Sequence, residues 1–80
     1  MDLFDLVLEF RDDLGRQSEV TWWDYNKGCT IYIYDVRDKD YYTTMDFIEE
    51  LKDMGYGVEI KQEVDDYDAL DALEIDIYSR

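Results

Sequence analysis

The chain contains no histidine, one cysteine and only four glycines among 80 residues. Without His, the Ser-His and Cys-His pairs of nucleophilic catalysis are excluded, and Cys29 alone forms no internal disulfide. Four glycines provide no Gly-rich phosphate loop. The nearest approach to a calcium loop, Asp38 to Glu49, has Thr43 where the sharp turn needs glycine. We therefore expect no catalytic residues, no metal site, no cofactor and no enzymatic activity.

Basic residues are also scarce, with 8 Lys and Arg against 22 Asp and Glu, which gives a net charge of −14. Phosphate groups and anionic lipids have the same sign of charge, so direct binding to nucleic acid or to a membrane is disfavoured. No apolar run approaches the roughly 18 residues of a membrane span. The segment 1–5 is acidic where a secretory signal would be basic. These features favour a cytoplasmic protein.

The residues that are abundant predict a folded chain. Hydrophobic residues make up 46% of the sequence and aromatic residues 16%, far more than a disordered acidic tail contains. We expect one domain spanning 1–80, with a radius of gyration of about 12 Å and thus a diameter of roughly 30 Å. About 30 Å of duplex DNA carries about 18 phosphate charges. The charge density of the protein is thus similar to that of DNA.

The first half has the pattern of a helix followed by a hairpin. Asp2 is a suitable N-cap and Gly15 a suitable C-terminal stop for a helix whose apolar stripe is Leu3, Leu6, Val7, Phe10 and Leu14. Aromatic and β-branched residues then dominate 20–25 and 29–36. Asn26 and Gly28 between these runs tolerate the positive φ of a tight turn, which predicts a β-hairpin.

The second half repeats this order. Thr43 followed by Asp46 is a variant capping box and predicts that a second helix begins there and ends at Gly55. Alternating residues then predict two more strands, with a loop at 65–68 between them. The halves 1–40 and 41–80 match at offsets of 40 and 44. Both an internal αββ duplication and a chance similarity of two αββ units explain that match.

The predicted fold is therefore α+β, in the order αββαββ, with two helices on one face of a four-stranded, mainly antiparallel sheet. We expect the helices to cover Val20, Ile31, Ile33, Val58, Ile60, Ile75 and Ile77. Period-two alternation then directs the intervening residues to the other face, which no chain remains to cover. Aromatic residues there either pack as cross-strand pairs or form an interaction face. The candidate partner-binding residues on this face and in the loop are Glu19, Trp23, Tyr32, Tyr34, Glu59, Glu63, Asp65, Asp66, Asp68, Glu74 and Asp76.

In size, acidity, small αβ make-up and lack of a catalytic constellation, the chain resembles the small phage-encoded DNA-mimic inhibitors of the anti-CRISPR and anti-restriction kind. The resemblance concerns composition and architecture over the whole chain and carries no family motif. It implies an inhibitor that acts in a bacterial host cell. Such an inhibitor blocks the basic nucleic-acid-binding groove of a nuclease or defence complex sterically and electrostatically, without catalysis.

Two other functions fit the same residues. An immunity protein or antitoxin that neutralises a basic nuclease toxin uses nearly the same contact chemistry. Alternatively, the acidity is a solubility adaptation of a non-inhibitory interaction domain. An exposed aromatic face and an unpaired strand edge also permit association of two copies, so the sequence leaves both a monomer and a homodimer open.

Overall fold

The computed structural model describes residues 2–15, 17–24, 27–64 and 70–79, with the side chains of 63, 64, 70 and 71 outside that description. The elements are α1 (Leu3–Leu14), β1 (Ser18–Asp24), β2 (Gly28–Tyr34), α2 (Asp38–Asp53), β3 (Tyr56–Val64) and β4 (Leu70–Ser79). The predicted α+β class and the order αββαββ are confirmed. The radius of gyration is 12.2 Å. Neither described helix has the length and apolar character that a membrane crossing requires.

Helix α1 begins and ends where the sequence predicts. The Asp2 carboxylate accepts a hydrogen bond from the Asp5 backbone N–H at 2.9 Å, which satisfies one of the unpaired donors of the first turn. At the other end Gly15 has φ 67°, and its N–H donates to the carbonyl of Arg11. This left-handed conformation favours glycine because it has no Cβ.

Helix α2 begins earlier than the sequence predicts. The expected capping box at Thr43 and Asp46 is wrong, because Thr43 lies inside the helix and donates its hydroxyl to the Lys39 carbonyl. The start is instead fixed by Asp40, whose Oδ2 accepts from the Arg37 backbone N–H at 3.0 Å. A carboxylate in the first turn also interacts favourably with the positive end of the helix dipole. Asp40 is nearly fully buried there.

The four described strands form one antiparallel sheet in the order β1-β2-β4-β3, so β2 and β4 are central. Val20 lies opposite Ile31 in the first hairpin, and Ile60 lies opposite Ile75 in the second. These two pairs are related by the offsets of 40 and 44 seen in the sequence. The β2–β4 ladder is centred on the pair Ile31–Ile75. The strand pairing therefore has an approximate twofold relation.

The core lies between the helices and the sheet. Phe10 and Phe47 stack at 4.2 Å between ring centroids and join the two helices. The buried apolar side chains include Leu3, Leu6, Val7, Phe10, Leu14, Cys29, Ile31, Ile33, Phe47, Ile48, Leu51, Leu73, Ile75 and Ile77. Ile60 departs from the prediction, because it remains 37% exposed on the edge strand β3.

Candidate protein-binding face of the sheet

The sheet surface opposite the helices is the candidate site, and we call it the open face. Its side chains alternate with the buried core residues along each strand, since successive residues of a strand point to opposite faces. The described residues of the open face with exposed or half-buried side chains are Glu19, Thr21, Trp23, Thr30, Tyr32, Tyr34, Glu59, Lys61, Glu74, Asp76 and Tyr78. The open face therefore combines carboxylates with large amphipathic rings.

Three aromatic side chains of the open face are accessible to a partner. Trp23 is 53% exposed, Tyr34 47% and Tyr78 37%. Tyr32 is half-buried and packs against Tyr34, with 5.1 Å between the ring centroids. Aromatic rings of this kind supply much of the binding energy at protein interfaces, because each removes a large apolar area from water.

Two strand glycines lie directly beneath two of these rings. A Cβ at Gly28 would lie 2.8 Å from Cε3 of Trp23 and 3.0 Å from the Ile77 carbonyl oxygen, closer than atoms normally approach. A Cβ at Gly57 would overlap the ring of Tyr78. Covering a strand glycine with a neighbouring aromatic ring restores packing that the missing side chain cannot supply. The positions of Trp23 and Tyr78 are therefore set by the strands beneath them.

A chain of hydrogen bonds crosses the open face. Trp23 Nε1 donates to Thr30 Oγ1 at 2.9 Å, and the Thr30 hydroxyl donates to Asp76 Oδ1 at 2.8 Å. The chain spans β1, β2 and β4, so it links the edge of the sheet to its centre. It also restricts the orientation of the Trp23 indole ring, about half of which is exposed to solvent.

Lys61 reduces the negative charge at the middle of the open face. Its Nζ lies 3.4 Å from Glu74 Oε2 and 3.5 Å from Asp76 Oδ2. The hydrogen bond to Glu74, together with the charges of Glu74 and Asp76, raises the pKa of the Lys61 ammonium above its ordinary value. These two carboxylates are thus partly neutralised within the chain, whereas Glu19 and Glu59 are exposed and form no ion pair within the described residues.

A shallow groove lies at one end of the open face, beside Tyr34. Gln17, Glu19, Tyr34 and Asp35 line its volume of about 350 Å³. The Tyr34 hydroxyl donates to Glu19 Oε2 at 3.1 Å, so the carboxylate and the ring present one combined polar and apolar surface. This arrangement suits a cationic side chain, which pairs with the carboxylate while its stem or guanidinium lies on the ring.

Cys29 is fully buried beneath the helices, as its alternation with Ile31 and Ile33 predicts. Burial raises the pKa of its thiol from 9.0 to about 12, and the negative charge of Asp76 adds to the shift. A thiol that stays protonated at neutral pH and has no access to solvent is not a nucleophile. Among the described residues, no group of three or more Cys, Asp and Glu side chains is arranged to hold a metal ion.

The helices carry an acidic surface that the sequence interpretation did not single out. Glu9 and Asp13 on α1 and Asp46 and Glu50 on α2 line a groove of about 250 Å³. Within the described part of the chain, none of the four has an ion-pair partner. In total the two helices expose nine carboxylates, those of Asp5, Glu9, Asp12, Asp13, Asp38, Asp46, Glu49, Glu50 and Asp53. The four-residue spacing of acids on each helix is the sequence signal for this groove.

The structure gathers most of the predicted site on one surface. Glu19, Trp23, Tyr32, Tyr34, Glu59, Glu74 and Asp76 all belong to the open face. The backbone of Glu63 continues β3, and its side chain lies outside the described residues, as do Asp65, Asp66 and Asp68 entirely. Tyr78 and Lys61 complete the open face, and alternation along the strands already predicts their direction.

Comparisons of the chain with models of protein families, with curated proteins and with solved structures give no match.

Proposed function

We propose that the protein is an acidic inhibitor that occupies the nucleic-acid-binding cleft of a basic partner, such as a nuclease complex. The observation that carries the proposal is the charge of −14 on a body whose longest dimension is 38 Å. A DNA duplex of that length carries about 22 phosphate charges. The protein thus has about two thirds of the charge density of a duplex, which suits the electrostatic field of a cleft built for DNA or RNA.

The open face is the contact surface in this proposal. Exposed carboxylates alone attract a basic cleft from a distance, but they contribute little binding energy after desolvation. Trp23 and Tyr34 add the apolar contact area that long residence needs, and Glu19 lies beside Tyr34. Rings and carboxylates on one surface are the chemistry of an Arg-rich or Lys-rich cleft.

The rings are held in place before binding. Trp23 lies on Gly28 and donates a hydrogen bond to Thr30, and both contacts restrict the indole in the free protein. A side chain that is already ordered loses less rotamer entropy when it is buried by a partner. The helix-side carboxylates act at longer range, because they lie on the opposite side of the sheet from these rings and increase the rate of encounter.

A matched pair of charge reversals tests this proposal. Glu19→Lys changes the open face and Glu9→Lys changes the helix groove, and each substitution alters the net charge by the same amount. Each variant and the wild type are immobilised and used to capture basic proteins from a bacterial lysate, and binding kinetics are measured on the captured partner. Glu19→Lys is expected to increase the dissociation rate, whereas Glu9→Lys mainly slows association. Equal effects of the two variants on the dissociation rate would contradict the assignment of the open face.

Trp23→Ala provides the second arm of this experiment. Loss of a central aromatic anchor typically weakens an interface by 2 kcal/mol or more, about thirtyfold in affinity. Trp23 is exposed in the free protein, so its removal is expected to leave the fold intact, which circular dichroism checks. Unchanged affinity in this variant would remove Trp23 from the proposed interface.

A further inference from the structure

Strand β3 forms an edge of the sheet, because in the order β1-β2-β4-β3 its neighbour among the described strands is β4 on one side. Along the other side of an edge strand, alternate N–H and C=O groups point away from the sheet and are able to pair with another strand. β3 is nine residues long, from Tyr56 to Val64, which is long for an edge.

Ile60 lies at the centre of this edge and is 37% exposed. It lies opposite Ile75, which is fully buried, so the helices cover the core partner but leave the edge residue in contact with water. Glu59 and Lys61 flank Ile60, and both are exposed. The three central residues of the strand are therefore, in chain order, acidic, apolar and basic.

We propose that β3 pairs antiparallel with β3 of a second copy of this chain, with the two Ile60 residues opposite each other at the twofold axis. In this register Tyr56 pairs with Val64 of the second copy, so every residue of the strand has a partner. The proposal does not depend on the identity of any inhibited target.

Charge complementarity selects this register. With Ile60 at the axis, Glu59 lies opposite Lys61 of the second copy, and the relation occurs twice. Directly opposed side chains in an antiparallel pair lie close enough to interact, and opposite charges there are stabilising. An axis at Glu59 or at Lys61 would instead place two like charges opposite each other.

One other register also pairs opposite charges. An axis at Gln62 places Lys61 opposite Glu63 of the second copy, but then only residues 60–64 of the two strands overlap. The axis at Ile60 uses all nine residues and removes two exposed isoleucine side chains from water. The other edge strand, β1, contains Glu19 and Asp24 but no basic residue, so no self-pairing of β1 brings opposite charges together.

The net charge of each copy opposes this association at long range, because two bodies of charge −14 repel each other. Salt screens that repulsion more than it weakens two short ion pairs at a strand interface. The dimer is therefore expected to strengthen as salt rises, whereas binding to a basic target weakens. This opposite salt response separates the two interactions experimentally.

Sedimentation equilibrium of the wild type at low and high salt measures the dimer directly. Glu59→Lys, compared with Glu50→Lys as a control of equal net charge on α2, is expected to weaken dimerisation at least fivefold. The double variant Glu59→Lys with Lys61→Glu restores opposite charges across the axis and has the wild-type composition, so it is expected to recover the dimer. A wild type that stays monomeric at high salt and high micromolar concentration would overturn the proposal.

Cysteine cross-linking tests the register and does not depend on Lys61, which also binds Glu74 and Asp76. Opposed residues of an antiparallel pair have Cα atoms about 4.5–5.5 Å apart, within the range of a disulfide. Ile60→Cys is therefore expected to cross-link two copies on oxidation. In Gln62→Cys the two cysteines lie about 14 Å apart along the strands and are expected to stay reduced. Cross-linking of Gln62→Cys rather than Ile60→Cys would refute the register, and cross-linking of neither would refute the interface.

Discussion

Trp23 donates its indole N–H to Thr30 Oγ1 on the neighbouring strand at 2.9 Å, although the indole side chain is 53% exposed. The Thr30 hydroxyl in turn donates a hydrogen bond to Asp76 Oδ1 at 2.8 Å. An exposed ring that is fixed in this way is a defined surface feature rather than a freely rotating side chain. Hydrogen bonds among Trp23, Thr30 and Asp76 therefore hold one ring of the proposed contact surface against three strands of the sheet.

Thr30→Val is expected to reduce the free energy of unfolding by about 1–2 kcal/mol. The Asp76 side chain is only 14% exposed, and in this variant its carboxylate no longer accepts a hydrogen bond from the Thr30 hydroxyl. Urea unfolding measures the loss. Thr21→Val is the matched control, since Thr21 lies opposite Thr30 on the same face and its hydroxyl forms no hydrogen bond within the described residues. Equal destabilisation by both substitutions would show that the hydrogen-bond chain does not matter.

Gly28→Ala is expected to destabilise the fold by roughly 1–3 kcal/mol, the range for overpacking. The new Cβ would meet both the Trp23 ring and the carbonyl oxygen of Ile77, and that carbonyl belongs to the backbone of the central strand β4 and cannot rotate aside as a side chain can. Gly57→Ala should cost less, because the added Cβ meets the ring of Tyr78, which is partly in water and is able to swing away. Thermal unfolding of both variants compares them, and a larger loss for Gly57→Ala would contradict the described packing.

Cys29 is expected to resist alkylation in the folded protein at pH 8 and to react readily in urea. Burial of the thiol gives the physical reason, since only the thiolate reacts and the folded-state pKa is about 12. The raised pKa also means that folding favours the protonated thiol. Its contribution to stability is therefore complete below pH 9 and is lost as the pH rises from about 9 to about 12.

Urea unfolding between pH 8 and pH 11 checks this pH dependence, with Cys29→Ala as the comparison. Lys61, whose pKa is also raised in the folded protein, is present in both the wild type and the variant, so it does not contribute to the difference between them. The difference in stability between the two proteins should shrink as the pH rises. A constant difference would mean that Cys29 does not titrate differently in the folded and unfolded states.

Added salt is expected to raise the melting temperature. Among the described residues, the nine exposed carboxylates of the two helices form no ion pair, so they repel one another without compensation. If screening recovers about 1 kcal/mol, the melting temperature of a chain this size rises by about 4–8 °C. Melting curves at low and moderate salt measure the effect at a protein concentration below dimerisation. A melting temperature that is independent of salt would argue against a dense, fixed surface charge.

Much of the fold follows from local patterns in the sequence. The alternation around Ile31 and Ile75 predicts which side of each strand is buried, because one face of the sheet must lie under the helices. Asp2 and Gly15 predict the limits of α1, since their capping interactions are local. The same alternation predicts the membership of the open face.

Other features depend on tertiary structure and escape local patterns. Strand order is one, because each hairpin is able to join the sheet through either strand. The exposure of Ile60 follows from that order, since an edge residue lacks cover on one side. The acidic groove also depends on tertiary structure, because it forms where α1 packs beside α2. The start of α2 is different, since the hydrogen bond between Arg37 and Asp40 is local and competes in the sequence with the equally plausible cap at Thr43 and Asp46.

Competition with duplex DNA is the most direct test of the proposed inhibitor function. The captured partner is titrated with the protein at several fixed concentrations of duplex DNA and at constant ionic strength. If carboxylates of the open face occupy phosphate positions, the apparent Kd rises in proportion to the DNA concentration, and DNA in excess releases the protein completely. An apparent Kd that stays constant while the partner is saturated with DNA would contradict the proposal.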